Sequence, residues 1–194
     1  MPFVLTIDQR GSRRGADRVP SVLSALSGVP TVLRFERTAG DEVQGLLDDP
    51  DAVVDVVRRL VRDGSWSIGI GAGPVSTPLT GSTRAATGPA FVAARGAVEA
   101  AKRRPVRVAV RGVVTEPAAD AQAVLTALAA LVERRSDQAW EAIALVEAGR
   151  TQAQAAAELG VTRQAVGQRL AAGLWEVERD LRPAACRLLL RAAG

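Results

Sequence analysis

The sequence predicts an α/β domain followed by an all-α domain built around a helix-turn-helix. Two observations carry this expectation. Strand-like and helix-like stretches alternate as far as about residue 114, the pattern of helices laid on a sheet. Beyond Thr115-Glu116-Pro117 the chain turns Ala-rich with helical spacing and gives no further β signal. A chain of 194 residues is long enough for one modest α/β core and a small helical domain, and the expected division is 1–116 and 117–194.

Phe3–Asp8 is apolar enough to be a buried strand, and Gly11–Gly15 with its clustered arginines reads as a loop. Asp17–Leu26 is predicted to be helical. Val32–Arg37 and Glu42–Leu47 flank the turn Thr38-Ala39-Gly40-Asp41 and read as a hairpin. From Pro50 to Arg62, Val53, Val54, Val57, Leu60 and Val61 recur at helical spacing. A strand over Trp66–Gly71 comes next, then a Gly/Ser/Thr/Pro-rich loop through Thr87, a helix over Phe91–Arg103 and a strand over Val106–Val114. Pro117 breaks strands, so the boundary is expected there. Helices follow at Asp120–Arg135, Asp137–Glu147, Gln152–Leu159, Arg163–Ala172 and Leu174–Leu181, with a short one after Pro183.

Composition narrows the chemistry. The chain has no His, no Tyr and one cysteine, Cys186. That removes a Ser-His-Asp triad, a Cys-His pair, an imidazole base and a Cys/His zinc site. A lone cysteine forms no intrachain disulfide and fits a reducing compartment. MPFVLTIDQR does not resemble a secretory signal, and no apolar run approaches the roughly 20 residues of a membrane span. The expectation is a cytoplasmic protein with no membrane partner. A net charge of +4 and a pI near 10.7 favour an anionic partner only mildly, because residues 120–194 hold nine Arg against nine Asp plus Glu. Every basic residue except Lys102 is Arg.

The strongest motif runs from Thr151 to Leu170, TQAQAAAELGVTRQAVGQRL. Small Ala155 and Ala156 let two helices approach, and Gly160 can adopt the positive φ of a tight turn between them. Val161 anchors that turn. Thr162 is suited to cap the next helix, whose Val166 and Leu170 lie four residues apart on one buried face. Arg163, Gln164, Gln168 and Arg169 occupy the opposite face. Such side chains read base edges and phosphates in a major groove of double-stranded DNA, Arg toward guanine and Gln toward adenine. From Gln138 to Leu181 the stretch is similar to the helix-turn-helix of sigma-factor region 4 and related regulators, with Trp140 and Ile143 in the first helix of a three-helix core. The alternative is a small helical bundle in which the Gly turn is only structural.

Several short segments of residues 1–105 resemble the nucleotidyl cyclase fold, a ferredoxin-like architecture shared by class III cyclases and GGDEF domains. Thr6-Ile7-Asp8 leads into the small-residue loop Gly11-Ser12. Arg37-Thr38-Ala39-Gly40-Asp41-Glu42-Val43 is similar to the cyclase KTxGD turn and to a degraded GGDEF signature. Ser67-Ile68-Gly69-Ile70-Gly71-Ala72-Gly73-Pro74-Val75 resembles a cyclase strand and loop, and Gly88–Arg95 resembles a cyclase helix. The SatD family, with GDEFQGLL-like and GPA…AR-like segments, is the nearest resemblance; here the first reads Gly40-Asp41-Glu42-Val43-Gln44-Gly45-Leu46-Leu47.

The resemblance implies that Asp8 and Asp41 form a metal-binding carboxylate pair with Glu42 as a third, that Arg37 stands where a base-selecting Lys would, and that Arg95 matches a transition-state cation. Magnesium and a nucleotide are the cofactors it implies. The same carboxylates could instead cap a turn or pair with Arg10, Arg13 or Arg14. Pro89 replaces an acid and no Asn precedes Arg95 in the helix, so the domain is expected to be catalytically inactive. The function expected is therefore that of a homodimeric DNA-binding regulator. Its first domain would sense a small phosphorylated ligand, held by Arg10, Arg13, Arg14 and Arg84 beside Gly69–Gly73, and signal through the helix Asp120–Arg135. The rival is a metal-dependent nucleotide cyclase or phosphoryl-transfer enzyme with a DNA-binding appendage.

Overall fold

Phe3–Gln9 has apolar residues at both odd and even positions, which suits a strand covered on both faces. In a computed structural model describing residues 1–12, 15–79 and 81–194, it is the central strand β1 of a mixed five-stranded sheet. The other strands are β2 (Leu33–Arg37), β3 (Glu42–Leu47), β4 (Trp66–Ala72) and β5 (Val108–Gly112), in the order β2-β3-β1-β4-β5. β1 runs antiparallel to β3 and β4, β2 antiparallel to β3, and β5 parallel to β4. Thr6 opposes Gln44 and Gly69, while Asp8 opposes Glu42 and Ser67.

Eight helices among the described residues complete a mixed α/β fold. α1 (Val19–Leu26), α2 (Pro50–Asp63), α4 (Thr115–Glu133) and α8 (Trp175–Ala193) cover the sheet face of Phe3, Leu5 and Ile7. α3 (Pro89–Ala101) covers the opposite face, that of Val4 and Thr6, and passes directly over β4. A Cβ on Gly71 would lie 2.0 Å from the Ala90 carbonyl oxygen, and one on Gly69 would lie 2.2 Å from the Val98 nitrogen. These glycines let the helix backbone touch the strand; they are not a loop cradling phosphate.

α5 (Asp137–Glu147), α6 (Gln152–Leu159) and α7 (Arg163–Ala172) form a satellite unit. Its own core is Ala142, Ile143, Ala155, Ala156, Val166, Leu170 and Trp175.

The helices after residue 114 differ from expectation in two places. α4 starts at Thr115, so Pro117 lies in its first turn, where no intrahelical N–H bond is required. The expected 116/117 boundary thus falls inside a helix. Leu125, Leu128, Val132, Ala185 and Leu189 join the same core as Phe3, Leu5 and Ile7, so one apolar cluster spans that position. Second, the two short helices expected around Pro183 are one continuous α8. Pro183 is on the exposed side, and burial of Ala185, Cys186, Leu189, Ala192 and Ala193 outweighs the roughly 3 kcal/mol that an interior proline costs. Leu174, expected inside the helix, caps its start at φ 50.

Candidate functional site

Each helix of the satellite unit begins at a side-chain cap. Ser136 Oγ accepts from the Ala139 N–H (3.2 Å). Thr151 and Gln154 cap each other reciprocally: Thr151 Oγ1 accepts from the Gln154 N–H (3.2 Å), and Gln154 Oε1 from the Thr151 N–H (2.9 Å). Thr162 Oγ1 accepts from the Ala165 N–H (3.1 Å). Between α6 and α7 the chain turns at Gly160, with φ 65, a conformation in which a side chain would be strained. Val161 packs against the small core and Val166 and Leu170 lie inside it. Arg163, Gln164 and Gln168 are exposed, and Arg163 has no ion-pair partner among the described residues. Arg169 departs from the expected open face: it is 21% exposed and its Nη1 lies 3.7 Å from Glu141 on α5.

Charged side chains that the sequence did not single out join this unit to the sheet layer. Glu178 of α8 is fully buried among Arg58 of α2, Arg135 beyond α4 and Arg182 of α8. Arg182 donates to Glu178 from Nε at 2.8 Å and also pairs with Glu147 of α5, which lies 3.0 Å from Arg58. Burial opposes the Arg182 charge, but Glu147 and Glu178 more than offset it and raise its pKa. The Trp140 ring lies under three guanidinium groups, those of Arg62 (4.7 Å), Arg135 (5.1 Å) and Arg58 (5.8 Å). Arg135 Nε also donates to the Gly173 carbonyl (2.6 Å), tying this cluster to the end of α7. Helical periodicity alone cannot show which polar residue faces another layer.

On the α3 side of the sheet, Asp8 meets Lys102, with Nζ 2.7 Å from Oδ2; Lys102 also reaches Glu99 at 2.8 Å. Burial raises the Asp8 pKa against the hydrogen bond and charge of Lys102, and the nearby charges of Asp41 and Glu99 add to the rise. Lys102 was missed as a site residue, although being the sole lysine set it apart. Arg37 pairs with Asp17, joining the hairpin to the loop before α1. Glu42 accepts from Thr38 Oγ1 at 2.5 Å. Arg95 projects from α3 and has no ion pair among the described residues.

The sheet-end candidates separate into different concavities. Arg37 and Asp41 line one of about 380 Å³ with Gln9, Ser12 and Asp17. Glu42 and Arg95 line another of about 470 Å³ with Gln44, Arg84 and Phe91. Arg10 lines a third, with Arg18 and Arg107, and donates to the Gly64 carbonyl at 2.7 Å. Arg10 and Arg84, expected to converge, are thus in separate cavities; Arg13 and Arg14 lie outside the described residues. Among the described residues no group of three or more His, Cys, Asp or Glu side chains is placed to hold a metal ion, and no helix is long and apolar enough to cross a membrane. Comparison with protein-family models, with curated proteins and with solved structures gives no match.

Proposed function

We infer that the protein is a DNA-binding transcriptional regulator acting as a homodimer in the cytoplasm, with α6 and α7 as its helix-turn-helix. The observation that carries this reading is the exposed row Arg163, Gln164 and Gln168 on a helix whose other side is locked by Val166, Leu170 and the Thr162 cap. Donors and acceptors held on the exposed face of a capped helix are what major-groove readout requires. Arg169, turned toward Glu141, is assigned a phosphate-facing or structural role.

The α/β part is read as a ferredoxin-like, cyclase-like sensing and dimerisation unit without catalysis. The antiparallel order β2-β3-β1-β4 supports the first half of that reading, since it is the split βαβ arrangement. Engagement of Asp8 by Lys102 supports the second. Turnover of ATP or GTP to a cyclic or dinucleotide product with magnesium, abolished by Asp8→Ala, would establish the rival enzyme instead.

Selection of bound fragments from random duplex DNA, followed by anisotropy titrations at several salt concentrations, tests the reading. Gln164→Ala or Gln168→Ala is expected to cost about 1–3 kcal/mol on the best site and relax preference at one base pair. Arg163→Ala is expected to weaken binding most of the three, and Arg169→Ala least of the four. Unchanged affinity of the triple Ala variant at 163, 164 and 168 overturns the reading.

A further inference from the structure

The cavity of about 470 Å³ between the β2–β3 hairpin and the start of α3 is built as a binding site by residues of one chain. Its volume falls within the roughly 300–1,000 Å³ usual for small-molecule pockets. Gln44 lines it although only 3% exposed. The Gln44 Nε2 group donates to Thr6 Oγ1 at 2.9 Å, and its Oε1 has no hydrogen-bond partner among the described residues. A carbonyl oxygen that borders the cavity in this way can accept a hydrogen bond from a ligand N–H or O–H. Glu42, two residues earlier on the same strand face, offers further acceptor capacity.

Arg84 and Arg95, both exposed, also line the cavity, and neither is ion-paired among the described residues. The loop bearing Arg84 is pinned to β2, because Ser82 Oγ and Thr83 Oγ1 donate to Glu36 at 2.6 and 3.2 Å. The Ser82 bond chiefly holds Glu36 below the usual carboxylate range, and Thr83 is 1% exposed. Phe91 adds an apolar wall. By contrast, the arginines of the cavity around Arg10 are engaged: Arg10 with Gly64, Arg18 with Asp63 and Ser65, and Arg107 with the Lys102 carbonyl.

We propose that this cavity binds a small organic phosphate whose phosphate group is held by Arg84 and Arg95 and whose body donates hydrogen bonds to Gln44 and Glu42. A sugar phosphate and a nucleoside monophosphate share that chemistry. Asp8 and Asp41 lie outside the cavity lining, and the proposal is of ligand binding alone. The proposal gives a ligand class to the sensing role inferred above, and rests on that reading only for its effect on DNA.

The test is calorimetric titration of the full chain, without DNA, with inorganic phosphate, ribose 5-phosphate, AMP and GMP. Saturable one-to-one binding of an organic phosphate is expected, at least tenfold tighter than inorganic phosphate and at least tenfold weaker in Arg84→Ala and in Arg95→Ala. Both arginines are exposed, so these variants are expected to fold, with melting curves as the check. Nucleotides binding tenfold tighter than ribose 5-phosphate assign a nucleotide, and equal affinities assign the sugar phosphate. Absence of saturable binding by all four probes overturns the proposal, as does binding that survives both substitutions or is lost instead in Arg10→Ala. Because DNA is absent, any of these failures leaves the DNA-binding reading standing.

Discussion

Arg135, just beyond the end of α4, and Glu178, in the first turn of α8, form an ion pair with side-chain exposures of 1% and 0%. Arg58 and Arg182 share the same carboxylate, so one buried anion holds three cations from different parts of the chain. Removing a buried counter-charge is far more damaging than removing a rim charge, because the cations left behind cannot recover their hydration. Glu178→Gln is expected to destabilise the protein by about 3–5 kcal/mol in urea unfolding. Glu147→Gln, at a position 30% exposed, is expected to cost about 1 kcal/mol. Equal losses for the two variants would contradict the role assigned to Glu178.

Burial raises the folded-state pKa of Asp8 above its ordinary value of 3.8. Between 3.8 and that raised value the folded protein binds the proton more tightly than the unfolded chain, so this group's contribution falls as pH rises. Its unfavourable contribution is complete above the folded pKa. Stability of the parent relative to Asp8→Asn should therefore decline as pH rises through this window and level off above the folded pKa. Paired urea titrations measure the difference, and a rise with pH would show that Lys102 stabilises the carboxylate more than burial destabilises it.

Contact between α3 and β4 makes Gly71 a sensitive position. The nearest atoms to an added Cβ are the Ala90 carbonyl oxygen at 2.0 Å and the Ala94 nitrogen at 2.4 Å, both backbone, so no rotamer change relieves the clash. Gly71→Ala is expected to cost at least about 1–3 kcal/mol as the helix is pushed off the sheet. Gly28→Ala, where a Cβ meets nothing within 4 Å, is expected to be neutral or to stabilise by about 0.4–1 kcal/mol through the unfolded chain. Thermal unfolding of the two variants distinguishes the positions.

Local chemistry made much of the framework legible. The turn over residues 38–41, the Pro50 and Asp137 helix starts, the Gly160 turn and the Thr162 cap all depend on residues within a few positions of one another. Gln44 lies in the strand expected over Glu42–Leu47 but was not singled out, because its cavity also needs Arg84, Phe91 and Arg95 from a distant part of the chain. Proline was the least reliable guide: Pro117 and Pro183 break isolated patterns, yet one lies in a first turn and the other on an exposed helix side.

By itself the sequence determined the alternation of strands and helices and the capped turn at Gly160–Thr162 between α6 and α7, because periodicity and caps act over short distances. Only the tertiary structure decided that α4 and α8 belong to the sheet's own core, that Lys102 rather than Asp41 touches Asp8, that Arg169 turns to Glu141, and that Glu178 is buried among arginines. In each case the partner lies far along the chain or across a helix interface. Which face of a polar residue is desolvated depends on what packs over it, and no local pattern records that.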